Sequence, residues 1–129
     1  MRNSVLMLLL VIWSGSAAAE VWVVVGKNEK FSAYADPATM RKEGTMVKMW
    51  DLFDYKTAQT GVGGKPYLSA KRHLEYDCKD GRARVLALSS HAENLAKGEV
   101  VAASSVSPNW SVVASGSADE LLWKFACGK

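Results

Sequence analysis

The groups able to do chemistry are few: two cysteines, Cys78 and Cys127, and two histidines, His73 and His91. A structural zinc site needs close ligand pairs such as Cys-x-x-Cys; here no two of the four lie nearer than five residues. A thioredoxin-like redox pair needs the same motif, which is absent. In an exported chain an even cysteine pair reads as a disulfide. Such a bridge closes a loop of about 50 residues and stabilises by on the order of 4 kcal/mol. A disulfide is the expectation, with a His73/Cys78/His91/Cys127 metal site as the competing reading; no cofactor is expected.

Nucleophilic catalysis requires a serine or cysteine with a histidine base, and no serine sits in a G-x-S-x-G elbow. His73 falls on the polar parity of a strand beside Lys71 and Glu75, and His91 in the segment Ser89-Ser90-His91-Ala92-Glu93; both are expected at the surface. Gly61-Val62-Gly63-Gly64-Lys65 fails as a phosphate loop, with Gln59 where glycine belongs and Pro66 where Ser or Thr belongs. Asp51 and Asp54 have no spacing that marks an acid/base couple. Asn109-Trp110-Ser111 matches a glycosylation sequon. The chain is therefore expected not to be an enzyme. What remains is basic: Lys71, Arg72, Arg82 and Arg84 flank the turn Lys79-Asp80-Gly81 and form a candidate rim for an acidic partner or polyanion. An ordinary solvated strand rim is the competing reading.

These groups must be positioned by a small framework. The 129 residues suit one domain and exclude a helicase, a kinase or a two-domain dehydrogenase. Apolar residues at 49% and charged residues at 22% describe a globular chain, and a net charge of +3, scattered, leaves no nucleic-acid footprint. Residues 22–25 and 31–35 read as short strands, and Asp36-Pro37 as the start of a short helix or turn reaching Met40. Thr45 to Lys56 is a long strand with large apolar groups on both faces, so both faces need cover. Tyr67–Cys78 and Arg82–Ser90 read as a hairpin, with Gly98–Ser105 and Trp110–Val113 as two further strands. Arg72 falls on the apolar parity of its strand, which implies a rim, a bulge or a snorkelling side chain. Ser117-Ala118-Asp119-Glu120 is a capping box. The helix it opens carries Ala118, Leu121, Leu122, Phe125 and Ala126 on one face and ends at Gly128. The expected fold is α+β: an antiparallel sheet of about six strands, with a C-terminal helix packed on one face and tethered by a disulfide. One short helix covers one face, so the other needs curling of the sheet or another subunit, and a homodimer is the expectation.

The first residues read as an address. Arg2, the nine apolar residues Val5 to Trp13 and the ending Ala17-Ala18-Ala19 form a secretory signal peptide over 1–19. Nine residues rise only about 14 Å as a helix, too short for a bilayer core of about 30 Å. Residues 20–129 form the mature domain, exported to the periplasm, the cell surface or the medium, with no membrane span after cleavage.

Read in order, Lys48-x-Trp50-x-Leu52-x-Asp54-Tyr55, Ser69-x-Lys71, Glu75-Tyr76-Asp77-Cys78-Lys79, Arg84, Gly98-x-Val100-Val101, Trp110, Gly116-Ser117 and Leu122-Trp123 with Cys127 resemble the surface-adhesin protein E family. Tyr34-x-Asp36, Thr39 and Gly44 extend the resemblance upstream, so it covers about Val21 to Cys127. It implies an antiparallel sheet with a disulfide-fastened C-terminal helix, frequent pairing as a dimer, and a bacterial source. It also implies adhesion, the binding of host extracellular-matrix proteins or cell surfaces. The alternative is a soluble periplasmic protein that binds a small ligand or an envelope partner in the groove between helix and sheet.

Overall fold

A computed structural model describes residues 20–105 and 109–129; the expected signal peptide lies outside the described residues. Six strands run in chain order across one antiparallel sheet: β1 (Val23–Lys27), β2 (Phe31–Glu43), β3 (Met46–Thr60), β4 (Pro66–Asp77), β5 (Arg82–His91) and β6 (Val100–Ser105). A two-residue seventh strand, β7 (Ser111–Val112), pairs with the start of β5. One helix, α1 (Ala118–Cys127), closes the chain. Consecutive strands are neighbours because the connections are short, and Gly44 and Gly81 take the left-handed backbone (φ 63° and 64°) that the tight turns require.

The expected helix or turn at 37–40 is instead part of β2, which runs unbroken to Glu43. The ladder jumps from Asp36 opposite Trp50 to Arg41 opposite Lys48, so residues 37–40 bulge out. Asp36 Oδ1 accepts from Ala38 N at 3.2 Å, the turn-forming bond an aspartate also makes at a helix start. Thr39 then stands in for the missing backbone partner: its hydroxyl donates to the Asp36 carbonyl (2.7 Å) and accepts from Trp50 N (3.0 Å).

The core lies between α1 and one sheet face, where Ala35, Val47, Met49, Leu74, Tyr76 and Ala83 meet Leu122 and Ala126. Phe125 packs at its margin, while Leu121 is largely exposed. The helix begins as expected: Ser117 Oγ accepts from Glu120 N (3.1 Å), and Glu120 reaches back to Gly116 N (3.0 Å). Gly128 ends it in the left-handed region (φ 69°). Cys78 and Cys127 form a disulfide with Cα atoms 5.6 Å apart, joining the end of β4 to the last turn of α1. That bond uses both thiols and overturns the four-residue metal site. Trp123 Nε1 donates to the Asp77 carbonyl (2.9 Å) at the same end.

Candidate binding surface

Strand parity separates the four basic residues. On β4, Leu74 and Tyr76 face α1, so Lys71, His73, Glu75 and Asp77 face away from it. Register places Arg84 opposite Glu75 and Arg82 opposite Asp77, on that same open face. Arg72 alone points under the helix. The sequence signal was correct, a cation on the apolar parity, but the outcome is neither rim nor snorkel. Arg72 Nε and Nη2 donate to the two oxygens of Asp51 at 2.7 and 2.9 Å, and Nη2 also reaches Asp119 of α1 at 2.8 Å. Tyr76 Oη donates to Asp51 at 2.8 Å. The Asp51 side chain is 0% exposed and that of Arg72 only 16%.

Burial disfavours charge on both partners, and the balance differs between them. It pushes the Asp51 carboxyl up from its usual range against the pull of Arg72 and Tyr76. Arg72 is also penalised by burial, yet Asp51 and Asp119 hold it firmly protonated. The two-point guanidinium–carboxylate contact favours the ionised pair. Arg72 is thus a clamp between sheet and helix, with the hydroxyl of Tyr76 raised well above its usual value by burial and by Asp51.

The open face carries two aromatic stacks. Trp50 and His73 lie ring on ring, centroids 4.7 Å apart and 8° between planes, with Lys71 Nζ 4.9 Å from the Trp50 ring. Nearer the start of β5, the guanidinium groups of Arg82 and Arg84 stand 4.6 and 4.4 Å from the ring of Trp110. Each of the three cations has a carboxylate: Lys71 pairs with Glu20, Arg82 Nε with Asp77 (2.8 Å), and Arg84 Nη2 with Glu75 (2.6 Å). The Arg82 hydrogen bond, with the backbone N–H groups of Asp80 and Lys79, holds Asp77 below the usual carboxylate range. Because these three cations are answered locally, the face offers planar, arginine-lined surface more than a strong positive field, with Lys48 as a further exposed cation beside His73.

The expected surface position of His91 is corrected. It ends β5, is only 8% exposed, and sits near Lys71 and Glu20. Its Nε2 lies 2.8 Å from Ser89 Oγ, two residues back on the same face, but its Nδ1 has no partner among the described residues. A serine base needs that second nitrogen held to fix the tautomer and orientation, so the contact lacks the orienting group. Burial lowers His91 and, with the help of Lys48, His73. Beyond His91, Leu95 and Ala96 both adopt φ 59°, an uncommon backbone for such residues. Leu95 N donates to Asp54 Oδ1 (2.8 Å) and Ala96 N to Ser69 Oγ (2.9 Å), which lock that turn onto the sheet. Asp54 is therefore a loop anchor rather than half of a carboxylate couple with Asp51.

Neither the role of Trp110 as a platform for the arginines nor the Asp51–Arg72–Asp119 network is visible in the sequence. Asp119 and Arg72 are 47 residues apart, and only the docked helix brings them together. The loop at 61–65 forms a short 3₁₀ turn, Val62–Gly64, with Gly63 and Gly64 at φ 78°. No described helix is long and apolar enough to cross a membrane, and the described residues hold no cluster of three metal-ligating side chains.

Three solved structures share this architecture. The structure of Haemophilus influenzae protein E aligns with a TM-score of 0.65 over 88% of this chain and 87% of its own, at 10% identity. Its crystal form II gives 0.63, 8% identity, and 86% and 97% coverage. Protein E from non-typeable Haemophilus influenzae gives 0.64, 9% identity, and 92% and 83% coverage. At such identities the likeness shows the fold alone. No curated protein matches the chain. The family model for surface-adhesin protein E matches residues 22–128, from the first strand to the cap of the helix, and by that match the chain belongs to the surface-adhesin protein E family.

Proposed function

We propose that the chain is an exported, non-enzymatic binding module that holds external protein, of the host extracellular matrix or cell surface, against its open sheet face. The carrying observation is the stack of Arg82 and Arg84 on Trp110, presented on the face that α1 leaves uncovered. Tryptophan and arginine supply most of the binding energy in protein interfaces because they bury large rigid area while keeping a polar handle. Trp50 and Lys71 extend the same surface. Recognition would rest on shape and aromatic contact, since the carboxylates of Glu75 and Asp77 already neutralise the arginines. Arg72, sequestered under the helix, contributes to the scaffold.

A second reading is favoured by the cleft between α1 and the β5–β7 edge. It has a volume of about 280 Å³ and is lined by Leu74, Val85 and Val113 with Arg72 and Asp119 at its polar side. This would suit a small ligand of a periplasmic protein. A homodimer formed through the open face belongs to the same set of proposals, and sedimentation at micromolar concentration tests it. Protease shaving of intact cells, read with antibody to the domain and compared with permeabilised cells, separates the two main readings. Digestion in intact cells supports adhesion; protection until permeabilisation moves the function to the periplasm.

A further inference from the structure

The sheet has two edges, and they are treated differently. At β1 the ladder slips between Val24 and Gly26, Lys27 adds a charge, and α1 lies alongside. Leu121 is so close that a methyl group on Gly26 would stand 2.5 Å from its Cδ1. A bulge, a lysine and a covering helix are the devices by which proteins protect an edge from pairing. At β6 the one such device is a slip at its start, between Val100 and Ala102, and neither a lysine nor a helix guards the strand. Its sequence, Val-Val-Ala-Ala-Ser-Ser, has no charge and no proline, and Ala102 to Ser105 keep an unbroken register with β5. Among the described residues no other segment pairs with its outer side, and five of its six residues are exposed.

A groove flanks this edge on each face. On the helix side a groove of about 560 Å³ is lined by Leu88, Ser90, Ala102 and Ser104, with Tyr67 and Lys65 at its far wall. On the open face a shallower groove of about 350 Å³ is lined by Trp50, Ala87, Ser89, Ala103 and Ser105. Both exist because β6 and the stretch of β5 beside it carry mostly small side chains, with the large rings of Tyr67 and Trp50 as the far walls. A strand added to β6 would place alternate side chains into the two grooves while its backbone completes the ladder.

We infer that β6 is a docking edge for an extended segment of a partner protein, one that alternates bulky apolar residues and carries a carboxylate where it passes Lys65. Lys65 is the single charged residue lining either groove, and no acid faces it there, so the complementary charge is negative. A second copy of this chain fits less well, because its own β6 would offer the grooves mainly alanine and serine. The inference concerns an edge and stands independently of the open-face reading above.

The test uses the oxidised mature chain, ¹⁵N-labelled, and acetylated octapeptides that alternate threonine with Val, Ile, Leu or Phe and end in Asp or in Lys. At about 1 mM peptide, at least one Asp-ended sequence should raise amide protection in residues 100–105 by roughly tenfold or more. The Lys-ended partner should bind roughly three- to tenfold more weakly at low salt, and Lys65→Glu should reverse that preference. The double variant Ala102→Lys/Ala103→Lys, checked for an unchanged melting temperature, should lose binding. The inference is overturned if no peptide alters residues 100–105, or if protection appears elsewhere. It is equally overturned if the chain dimerises through β6, losing that dimer in the double variant, and peptide does not compete.

Discussion

Replacing Arg72 by methionine keeps the length and apolar stem of the side chain and removes its charge. Asp51, wholly buried, would keep one of its three observed side-chain bonds, that from Tyr76. Breaking one side of a buried pair leaves an uncompensated charge and costs about 3–5 kcal/mol, against a total stability of roughly 5–15 kcal/mol. The loss should be read as a shift of the urea midpoint at unchanged slope, with the disulfide intact, by far-ultraviolet dichroism and tryptophan fluorescence together. Asp119→Asn, whose side chain is 45% exposed, should cost no more than about 1 kcal/mol. Adding Asp51→Asn to Arg72→Met should restore about 1–3 kcal/mol, since the amide carries no charge and still accepts from Tyr76. Without Arg72, burial raises the Asp51 carboxyl further above its unfolded value. The folded state then binds the extra proton, so the variant should lose stability as pH rises from about 4 toward 7. An Arg72→Met protein within about 0.5 kcal/mol of the parent, the range of ordinary surface changes, would refute the clamp and return Arg72 to the rim.

Three further outcomes are expected. Cys78→Ser with Cys127→Ser should destabilise the domain by about 2–5 kcal/mol, measured by thermal melting, because the bridge fixes the last turn of α1 to β4. Burial holds His73 and His91 below the usual imidazole value, so the unfolded chain takes up protons first; unfolding free energy should therefore fall as pH drops through about 6.5. The His73→Gln/His91→Gln protein should show a flatter profile. Ser117→Ala removes the acceptor of the Glu120 N–H and should cost about 1 kcal/mol in the same denaturant assay.

Local chemistry was legible wherever it was decided locally. The capping box at Ser117 and Glu120, the stop at Gly128, the hairpin at Lys79-Asp80-Gly81 and the pairing of the two cysteines needed no knowledge of the fold. Asp36-Pro37 misled because the bond from an aspartate to the N–H two residues on starts a bulge as readily as a helix, and the ladder of β2 with β3, resuming at Arg41, favours the bulge. His91 misled because it ends a strand rather than lying in a loop, with Lys71 and Glu20, both remote in sequence, near it. Arg72 was flagged by its parity, yet its role depended on Asp51 lying opposite it on β3 and on Asp119 arriving with the helix. Of the four basic residues, Lys71, Arg82 and Arg84 share the open face, whereas Arg72, on the other parity of β4, turns under the helix.

Whether the open face holds external protein is decided by a binding titration. The oxidised domain would be titrated onto immobilised matrix proteins beside a variant with Arg82→Gln, Arg84→Gln and Trp110→Ala, both confirmed folded by dichroism and melting. Neutral replacements are used because each arginine faces a carboxylate. Saturable binding by the parent is expected, weakened by about 2 kcal/mol or more in the variant, as for interface anchors, with only modest dependence on salt. Saturable binding of equal strength by the variant would contradict the open-face reading.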